Sequence, residues 1–409
     1  MMQLRPILST LRRHKTAALL IVLEIALTCA IICNSVFLIA NRVERVRFGS
    51  GMAESELLYI GTRSIGHPAN VDAITREDLA ALRAIPGVRD VAIVNQIPYA
   101  DEQQNSGVGL KPGQPVSTID VASYVADAGL PRTLGLRLIA GRDFNADEVV
   151  DETAFGKSDD PKVPAALVTR AVAERLFPGR DAVGQDIYVF GDHPTRIVGV
   201  VDRLVKPQPV HGDQTDLFSV VMPLRPSFDD GTYVLRVDPA RRDGALKAAE
   251  AALDRRDIPR VLLAHGRYDE LRAGYYRSDV SMVWLLVGVC VALLVVTAFG
   301  IVGLASFWVQ QRTKMIGTRR ALGATRGQIL GYFQAENLLL TTAGIAIGMV
   351  GAFGINQWLM TQYELPRLPL MYLPLGALAL WALGQVAVLA PARRAAALAP
   401  ALAMRGLAE

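Results

Sequence analysis

Cysteine, histidine and charge are all scarce in this chain of 409 residues. Three cysteines exclude a disulfide-rich scaffold and a cysteine-rich zinc module, and the five histidines are scattered without partners at metal-ligand spacing. Charged residues make up 20% of the chain, below the roughly 25% of a soluble domain, and hydrophobic residues make up 51%. This composition excludes a disordered chain. The net charge of +4 is too small to indicate nucleic acid as a partner.

The sequence also lacks a complete catalytic or nucleotide-binding motif. Gly156–Ser158 resembles the end of a phosphate-binding loop, but Asp151 stands where that motif needs its first glycine. Gly107–Gly109 begins like a dinucleotide fingerprint, but Pro112 replaces the third glycine. Neither a serine-hydrolase elbow nor a zinc-protease motif occurs. We therefore expect no catalytic residue, no metal and no cofactor in this chain, which is predicted not to be an enzyme.

Four apolar stretches are long enough to cross a membrane, for which a helix needs about 20 residues. They are predicted at residues 17–40, 280–309, 335–360 and 370–390. Residues 41–279 have the composition of a soluble domain. The predicted fold class is therefore an α-helical membrane protein with four transmembrane helices plus a large α+β extracytoplasmic domain between helices one and two. The first stretch is interpreted as a permanent anchor, because it is longer than the apolar core of a signal peptide.

The distribution of charge predicts which side of the membrane each segment faces. Residues 41–280 hold 30 Lys and Arg against 35 Asp and Glu, a net charge of −5, so the remaining residues carry +9. Basic loops stay in the cytoplasm. We therefore predict that residues 1–16, 310–334 and 391–409 are cytoplasmic, and that the large domain and the short turn 361–369 lie outside.

The large domain alternates strands and short helices, as an α+β domain does. A capping box at Thr75–Asp78 predicts a helix over Leu79–Ile85, followed by a strand at Val88–Val94. The acidic segment Asp143–Lys162 is predicted to be a mobile surface loop. A helix at Tyr268–Ser278 is predicted to continue into the second membrane helix.

Glu24 and Gln385 are the two candidate polar site residues inside the predicted membrane helices. Glu24 shares a helix face with Thr28 and Ser35, and Gln385 lies at a similar depth in the fourth helix. Either the pair forms a hydrogen bond between helices, or Glu24 belongs to a substrate or proton path. The third membrane helix carries small residues that allow close helix packing: Gly344, Gly348, Gly351 and Gly354.

The cytoplasmic loop is predicted to hold a short basic helix over Gln311–Leu322. Gly323 suits its C-terminal cap, and Thr325–Gln328 reads as a capping box that opens the next helix. Such a helix can receive force from a soluble partner, although a charged loop that only fixes topology is the alternative. The candidate coupling residues are Arg312, Lys314, Met315, Ile316, Arg319, Arg320, Leu322 and Gly323.

This loop resembles that of the FtsX/MacB-type permeases of ABC transporters. Their pattern Gln-Arg-x-Lys-Glu-Ile-Gly-x-Arg-Arg-Ala-Leu-Gly-Ala-Thr is matched by Gln311–Thr325, and a family tail pattern is matched by Pro391–Ala396 with Pro400 and Leu402. The outer domain is similar to a MacB-type periplasmic core domain. The matching stretches are Gly135–Leu138, Gly141–Phe144, Ala166–Val168, Leu176 with Phe177, Gly184, and Ile197–Val201.

The resemblance implies a permease subunit in the bacterial inner membrane. Its partners would be a separate ABC ATPase that binds ATP and Mg²⁺, a second permease copy or a paralogous permease, membrane lipid, and an adaptor with an outer-membrane channel. The implied cargo is drugs, peptides or lipid-linked molecules. Met315 and Ala399 replace the usual Glu and Asp, which suggests a divergent subunit, such as one half of a heterodimer.

Two other functions stay open. The same architecture resembles FtsX-like regulators, which transmit ATPase motion to an outer partner such as a cell-wall hydrolase. A membrane-bound enzyme is the third possibility, and the lack of a catalytic motif argues against it.

Overall fold

A computed structural model describes residues 15–66, 68, 70–158, 161–254, 258–363 and 369–397. The chain divides into two compact units, one formed by Met1–Val43 with Asp279–Glu409 and the other by Glu44–Ser278. The predicted turn 361–369, the cytoplasmic tail and Ala399 lie largely or wholly outside the described residues, as does most of the predicted segment 1–16.

Four long helices, each apolar enough to cross a membrane, occupy the regions predicted for the membrane spans. They are α1 (Lys15–Arg47), α8 (Arg277–Gln311), α10 (Arg326–Tyr363) and α11 (Tyr372–Ala397), with the short helix α9 (Thr313–Ala321) between the second and third. Helices α1, α8 and α10 extend beyond the apolar stretches, because polar residues at both ends continue the same helices.

Helix α1 contacts each of the other three membrane helices. Its residues Ile25, Cys29 and Cys33 are fully buried, whereas α8 presents Trp284, Phe299 and other large apolar side chains on its surface. An exposed apolar surface of this kind is suited to lipid, since a bilayer solvates it as well as another helix does.

Two of the four predicted glycines allow α10 to approach α1. A Cβ added to Gly348 would lie 2.6 Å from the carbonyl oxygen of Ala26, and one added to Gly344 would lie 2.8 Å from Ile25. A Cβ added to Gly351 would meet Ala30 at an ordinary 3.8 Å, and one added to Gly354 would meet no other described residue within 4 Å. The close approach therefore involves only one end of the glycine stripe.

The second unit contains a four-stranded antiparallel sheet with strand order β13-β1-β12-β2. These strands are β1 (Leu57–Ser64), β2 (Val88–Val94), β12 (Thr232–Val237) and β13 (Arg260–Arg267). Helices α2 (Val71–Arg83) and α6 (Arg242–Asp254) contribute Leu79, Leu82 and Ala249 to a core on one face of this sheet. Because successive strand residues point to opposite faces, the alternate apolar residues of these strands pack on the other face into a second core.

A larger mixed sheet forms the rest of this unit, with strand order β3-β4-β10-β7-β9-β5 and β8 paired to β9. Its strands are β3 (Asn105–Val108), β4 (Ile119–Val125), β5 (Leu138–Gly141), β7 (Ala165–Thr169), β8 (Asp186–Ile187), β9 (Thr195–Val201) and β10 (Ser219–Met222). Short helices α3 (Leu130–Leu134) and α5 (Arg170–Leu176) connect its strands. The α+β prediction for this domain is confirmed.

Three local predictions were wrong. Helix α2 begins at Val71, so Thr75 lies inside it and donates its hydroxyl to the carbonyl of Val71. Helix α7 (Tyr268–Tyr275) ends before α8 begins, with Tyr276 between them. The segment predicted as a mobile loop contains β6 (Val150–Asp151), paired with β11 (Leu224–Arg225), and α4 (Glu152–Gly156).

Candidate functional site

Helix α9 is closed at its end by the residues that the sequence predicted. Gly323 adopts a φ of +97°, a left-handed conformation that side chains disfavour. Thr325 and Gln328 form both hydrogen bonds of a capping box, since the backbone N–H of each donates to the side chain of the other at 2.9 and 3.2 Å. A sharp turn is thus fixed between α9 and α10.

One side of α9 is exposed. Lys314, Met315 and Arg319 are exposed, and Leu322, just after the helix, exposes 83% of its surface. The guanidinium of Arg319 lies 5.1 Å from the ring centroid of Tyr332, a cation–π distance. Arg320 is half-buried, and its Nη1 donates to the carbonyl of Ala324 at 3.3 Å. These residues are available to a soluble partner.

The other side of α9 faces the helix bundle, which corrects the prediction for two coupling residues. Ile316 is buried in the apolar core of the bundle, so it does not form one contact surface with Met315 and Leu322. Arg312 is buried as well and lies at the break between α8 and α9. The sequence could not predict this, because the alternation of basic and apolar residues along a helix does not show which face packs against other helices.

The charge of Arg312 is neutralised inside the bundle by Glu336 of α10. Arg312 Nη1 lies 2.7 and 3.1 Å from the two carboxylate oxygens, and Nη2 lies 3.1 Å from Oε1. The guanidinium also lies 5.3 Å from the ring centroid of Trp308. Sequence reasoning missed this role of Glu336, although an acid inside an apolar helix is the signal that could have revealed it.

Glu24 and Gln385 lie in different surroundings. A Cβ added to Gly300 of α8 would lie 2.5 Å from the carboxylate of Glu24, so Glu24 is packed directly against the second membrane helix. The side-chain Nε2 of Gln385 donates a long hydrogen bond of 3.5 Å to the carbonyl oxygen of Gln334. Among the described residues no hydrogen bond joins Glu24 to Gln385, so the predicted pairing is not observed.

Helix α1 makes polar contacts with two other membrane helices. Thr28 and Thr297 of α8 form a hydrogen bond of 2.9 Å, and Asn34 Nδ2 donates to the carbonyl of Ala352 of α10 at 3.1 Å. Arg42 forms an ion pair with Asp279 near the start of α8. Helix α8 is thus held by an ion pair near each end, to α1 through Asp279 and to α10 through Arg312.

Within the second unit, Arg272 joins the first and last segments of the domain. Its Nη2 donates to the carbonyls of Val46 and Phe48 at 2.8 and 3.1 Å, and its Nη1 donates to Glu54 at 2.9 Å. Burial, and to a lesser extent the nearby Tyr275, raise the pKa of the adjoining Tyr276 to about 12, so this phenol stays neutral. No sequence pattern indicated this contact, which joins segments more than 200 residues apart.

The described residues contain no group of three His, Cys, Asp or Glu side chains that could hold a metal ion. The three cysteines are free thiols in α1 and α8.

Two family models match this chain. The MacB-like periplasmic core domain matches residues 20–256, which is more than half of the chain, and the FtsX-like permease C-terminal family matches residues 287–400. The second match contains α9, α11 and the Arg312–Glu336 pair.

Several curated proteins are similar to this chain. The macrolide export ATP-binding/permease protein MacB of Agrobacterium fabrum is 29% identical over 287 residues, which are 65% of this chain and 40% of that protein. The uncharacterised ABC transporter permease YknZ of Bacillus subtilis is 22% identical over 288 residues, which are 68% of this chain and 66% of that protein. The pyoverdine export ATP-binding/permease protein PvdT of Pseudomonas putida is 28% identical over 276 residues, which are 62% of this chain and 40% of that protein.

This chain therefore spans less than half the length of the two named export proteins. Among solved structures, the periplasmic region of MacB from Actinobacillus actinomycetemcomitans is similar. The match covers 55% of this chain and 94% of that structure, with 11% identity and a TM-score of 0.33.

Proposed function

Because this chain belongs to the MacB/FtsX type of ABC transporter permeases, with four membrane helices and a periplasmic domain in the bacterial inner membrane, we propose that it couples ATP hydrolysis by an ABC ATPase to the export of cargo from the periplasmic side. The ATPase docks on helix α9. The permease acts as a dimer, with a second copy or a paralogous permease.

The observation that carries this proposal is the two-sided environment of α9. Ile316 and Arg312 fix one side to the bundle, while Leu322 is 83% exposed at the end of the helix. A large exposed apolar side chain on a rigid support is what a buried anchor at a protein interface needs. Lys314 and Arg319 are exposed in the same helix and add positive charge.

Force applied to α9 has a defined route within the bundle. The Arg312–Glu336 pair and Ile316 connect α9 to α10 and to the core, and Arg42–Asp279 connects α8 to α1. Helices α1 and α8 flank the periplasmic domain in the sequence, and Arg272 ties the first and last segments of that domain together. This arrangement suits mechanotransmission, in which ATPase closure moves the periplasmic domain.

The cargo classes that we propose are drugs, peptides and lipid-linked molecules. Two of the similar proteins are named as exporters of macrolides and of pyoverdine, which supports export of small molecules. A periplasmic adaptor and an outer-membrane channel would then complete the pathway.

The docking role can be tested with Leu322→Asp. The variant keeps every Lys and Arg, so its membrane insertion is expected to be normal. An unpaired charge in an apolar groove costs several kcal/mol, so ATPase co-purification and permease-stimulated ATP hydrolysis should be lost. Arg319→Gln is the comparison and should be milder, because exposed ion pairs contribute about 0–1 kcal/mol. Full ATPase binding by Leu322→Asp would leave α9 as a topology signal.

A further inference from the structure

The periplasmic unit contains a cavity of about 340 Å³ on the face of the four-stranded sheet opposite α2 and α6. This volume lies in the range of small-molecule pockets, about 300–1,000 Å³. One wall is formed by β1 and β13, and the other by residues 95–102, where the chain leaves β2 for the larger sheet.

The base of the cavity is apolar and partly aromatic. Tyr59, Ile97, Tyr99 and Leu271 line it, and Leu263 contributes an aliphatic side chain that is half-exposed. Burial, together with the nearby Glu270, raises the pKa of Tyr59, so its phenol is neutral at physiological pH.

The mouth of the cavity is negatively charged. Among the described residues, Asp101, Glu102 and Asp230 line it together with one basic side chain, Arg63. Arg63 Nη2 lies 3.0 Å from Asp230 and 4.0 Å from Glu102, so its charge is already shared between two carboxylates. These four side chains together carry a net charge of −2.

Hydrogen bonds to neighbouring segments hold the wall formed by residues 95–102 in place. Gln96 Nε2 donates to the carbonyls of Ser123 and Gln104 at 2.9 and 3.0 Å, and Gln96 Oε1 accepts from the N–H of Gln104 at 2.6 Å. Tyr99 has a φ of +69°, a strained value for a residue with a side chain, and its N–H donates to the carbonyl of Pro207. A preformed wall lowers the entropy that binding costs.

We propose that this cavity binds a small organic cation, a protonated amine or amidine carried on an apolar or aromatic body. The body fills the base beside Tyr59 and Tyr99, and the cationic group meets Asp101 and Glu102 at the mouth. An anion would face the same carboxylates and is excluded. The site goes beyond the proposed transport function, because binding is expected whether or not an ATPase docks on α9.

The test uses the full chain in lipid nanodiscs, free of nucleic acid, with ethidium as the cationic probe and anilinonaphthalene sulfonate as an anionic probe of similar size. A Cβ at Gly61 would meet the carbonyl of Ala264 at 3.4 Å and Thr232 Oγ1 at 3.7 Å, ordinary contacts, so Gly61→Leu places its side chain in the cavity. Subtracting the fluorescence of this variant removes dye taken up by lipid.

Wild-type protein should show saturable ethidium binding that Gly61→Leu lacks. Asp101→Asn with Glu102→Gln should weaken binding by roughly fivefold to tenfold at low salt, and added salt should weaken wild-type binding. Both residues are exposed, so this double variant is expected to fold. Asp147→Asn, an exposed acid outside the cavity lining, is the matched control and should bind as wild type.

Two results would overturn the proposal. One is ethidium binding by Gly61→Leu, or by the double variant, that equals wild type. The other is anilinonaphthalene sulfonate binding that Gly61→Leu abolishes, with an affinity equal to that of ethidium.

Discussion

Arg312 and Glu336 form a bidentate ion pair inside the helix bundle, with side chains that are 8% and 1% exposed. The pair joins the start of α9 to α10, so it anchors the helix on which we propose that the ATPase docks. Breaking a buried pair leaves an uncompensated charge, which costs about 3–5 kcal/mol.

We therefore expect Glu336→Gln to lower the thermal unfolding temperature of the purified permease markedly, because the guanidinium of Arg312 loses its counter-charge. Arg312→Met combined with Glu336→Leu should recover most of that stability, since apolar residues of similar volume need no partner. Lys314→Met, on the exposed side of α9, is the control and should change little. Circular dichroism during heating measures all three, and an unchanged Glu336→Gln would show that the pair contributes nothing to the fold.

Gly348→Leu should disrupt the packing of α1 against α10. The added side chain would begin 2.6 Å from both the carbonyl oxygen of Ala26 and the Cβ of Cys29, and the helix backbone cannot yield without separating the helices. Overpacking of this kind costs typically 1–3 kcal/mol and more where backbone is in the way. Gly354→Leu is the matched variant in the same helix and should be tolerated, because a Cβ there would meet no other residue within 4 Å in the described part of the chain. The recovery of monodisperse protein in detergent distinguishes the two outcomes.

Glu24→Gln should preserve assembly and ATPase coupling if Glu24 acts by hydrogen bonding to its neighbours. An acid that faced lipid would cost about 3 kcal/mol on insertion scales, and the half-buried Glu24 places its carboxylate against Gly300 of α8. Leu23→Gln places the same amide on an exposed position of α1 and controls for the polar group itself. Loss of transport by Glu24→Gln, with normal assembly and ATPase stimulation, would instead assign an ionisable role to Glu24.

Arg260→Gln should destabilise the periplasmic unit far more than Arg196→Gln. Arg260 Nη1 lies 2.6 Å from Asp78, with side chains that are 4% and 0% exposed, and the hydroxyl of Tyr233 donates to the same carboxylate. Arg196 Nε lies 3.0 Å from Asp186, but these side chains are 61% and 37% exposed. We expect losses of about 3–5 kcal/mol and about 0–1 kcal/mol in the free energy of unfolding.

Denaturant unfolding followed by the fluorescence of the periplasmic tyrosines measures this difference. Equal midpoints for the two variants would mean that burial does not decide the contribution of these pairs.

The sequence alone determined the architecture of this protein. Runs of about 20 apolar residues predict membrane helices, and the charge of the connecting segments predicts their orientation, because both signals act on each segment separately. The turn at Gly323 and the capping box at Thr325–Gln328 could be predicted for the same reason, since their hydrogen bonds join residues close together in the chain.

Only the tertiary structure decided which side of each helix is covered. Thr75 and Asp78 resemble a cap in sequence, but Asp78 is needed inside α2 by Arg260, 182 residues away. Arg312 resembles an exposed coupling residue, but Glu336 neutralises it within the bundle. Such choices depend on partners from other elements, and a local pattern contains no information on which distant charge or surface will cover it.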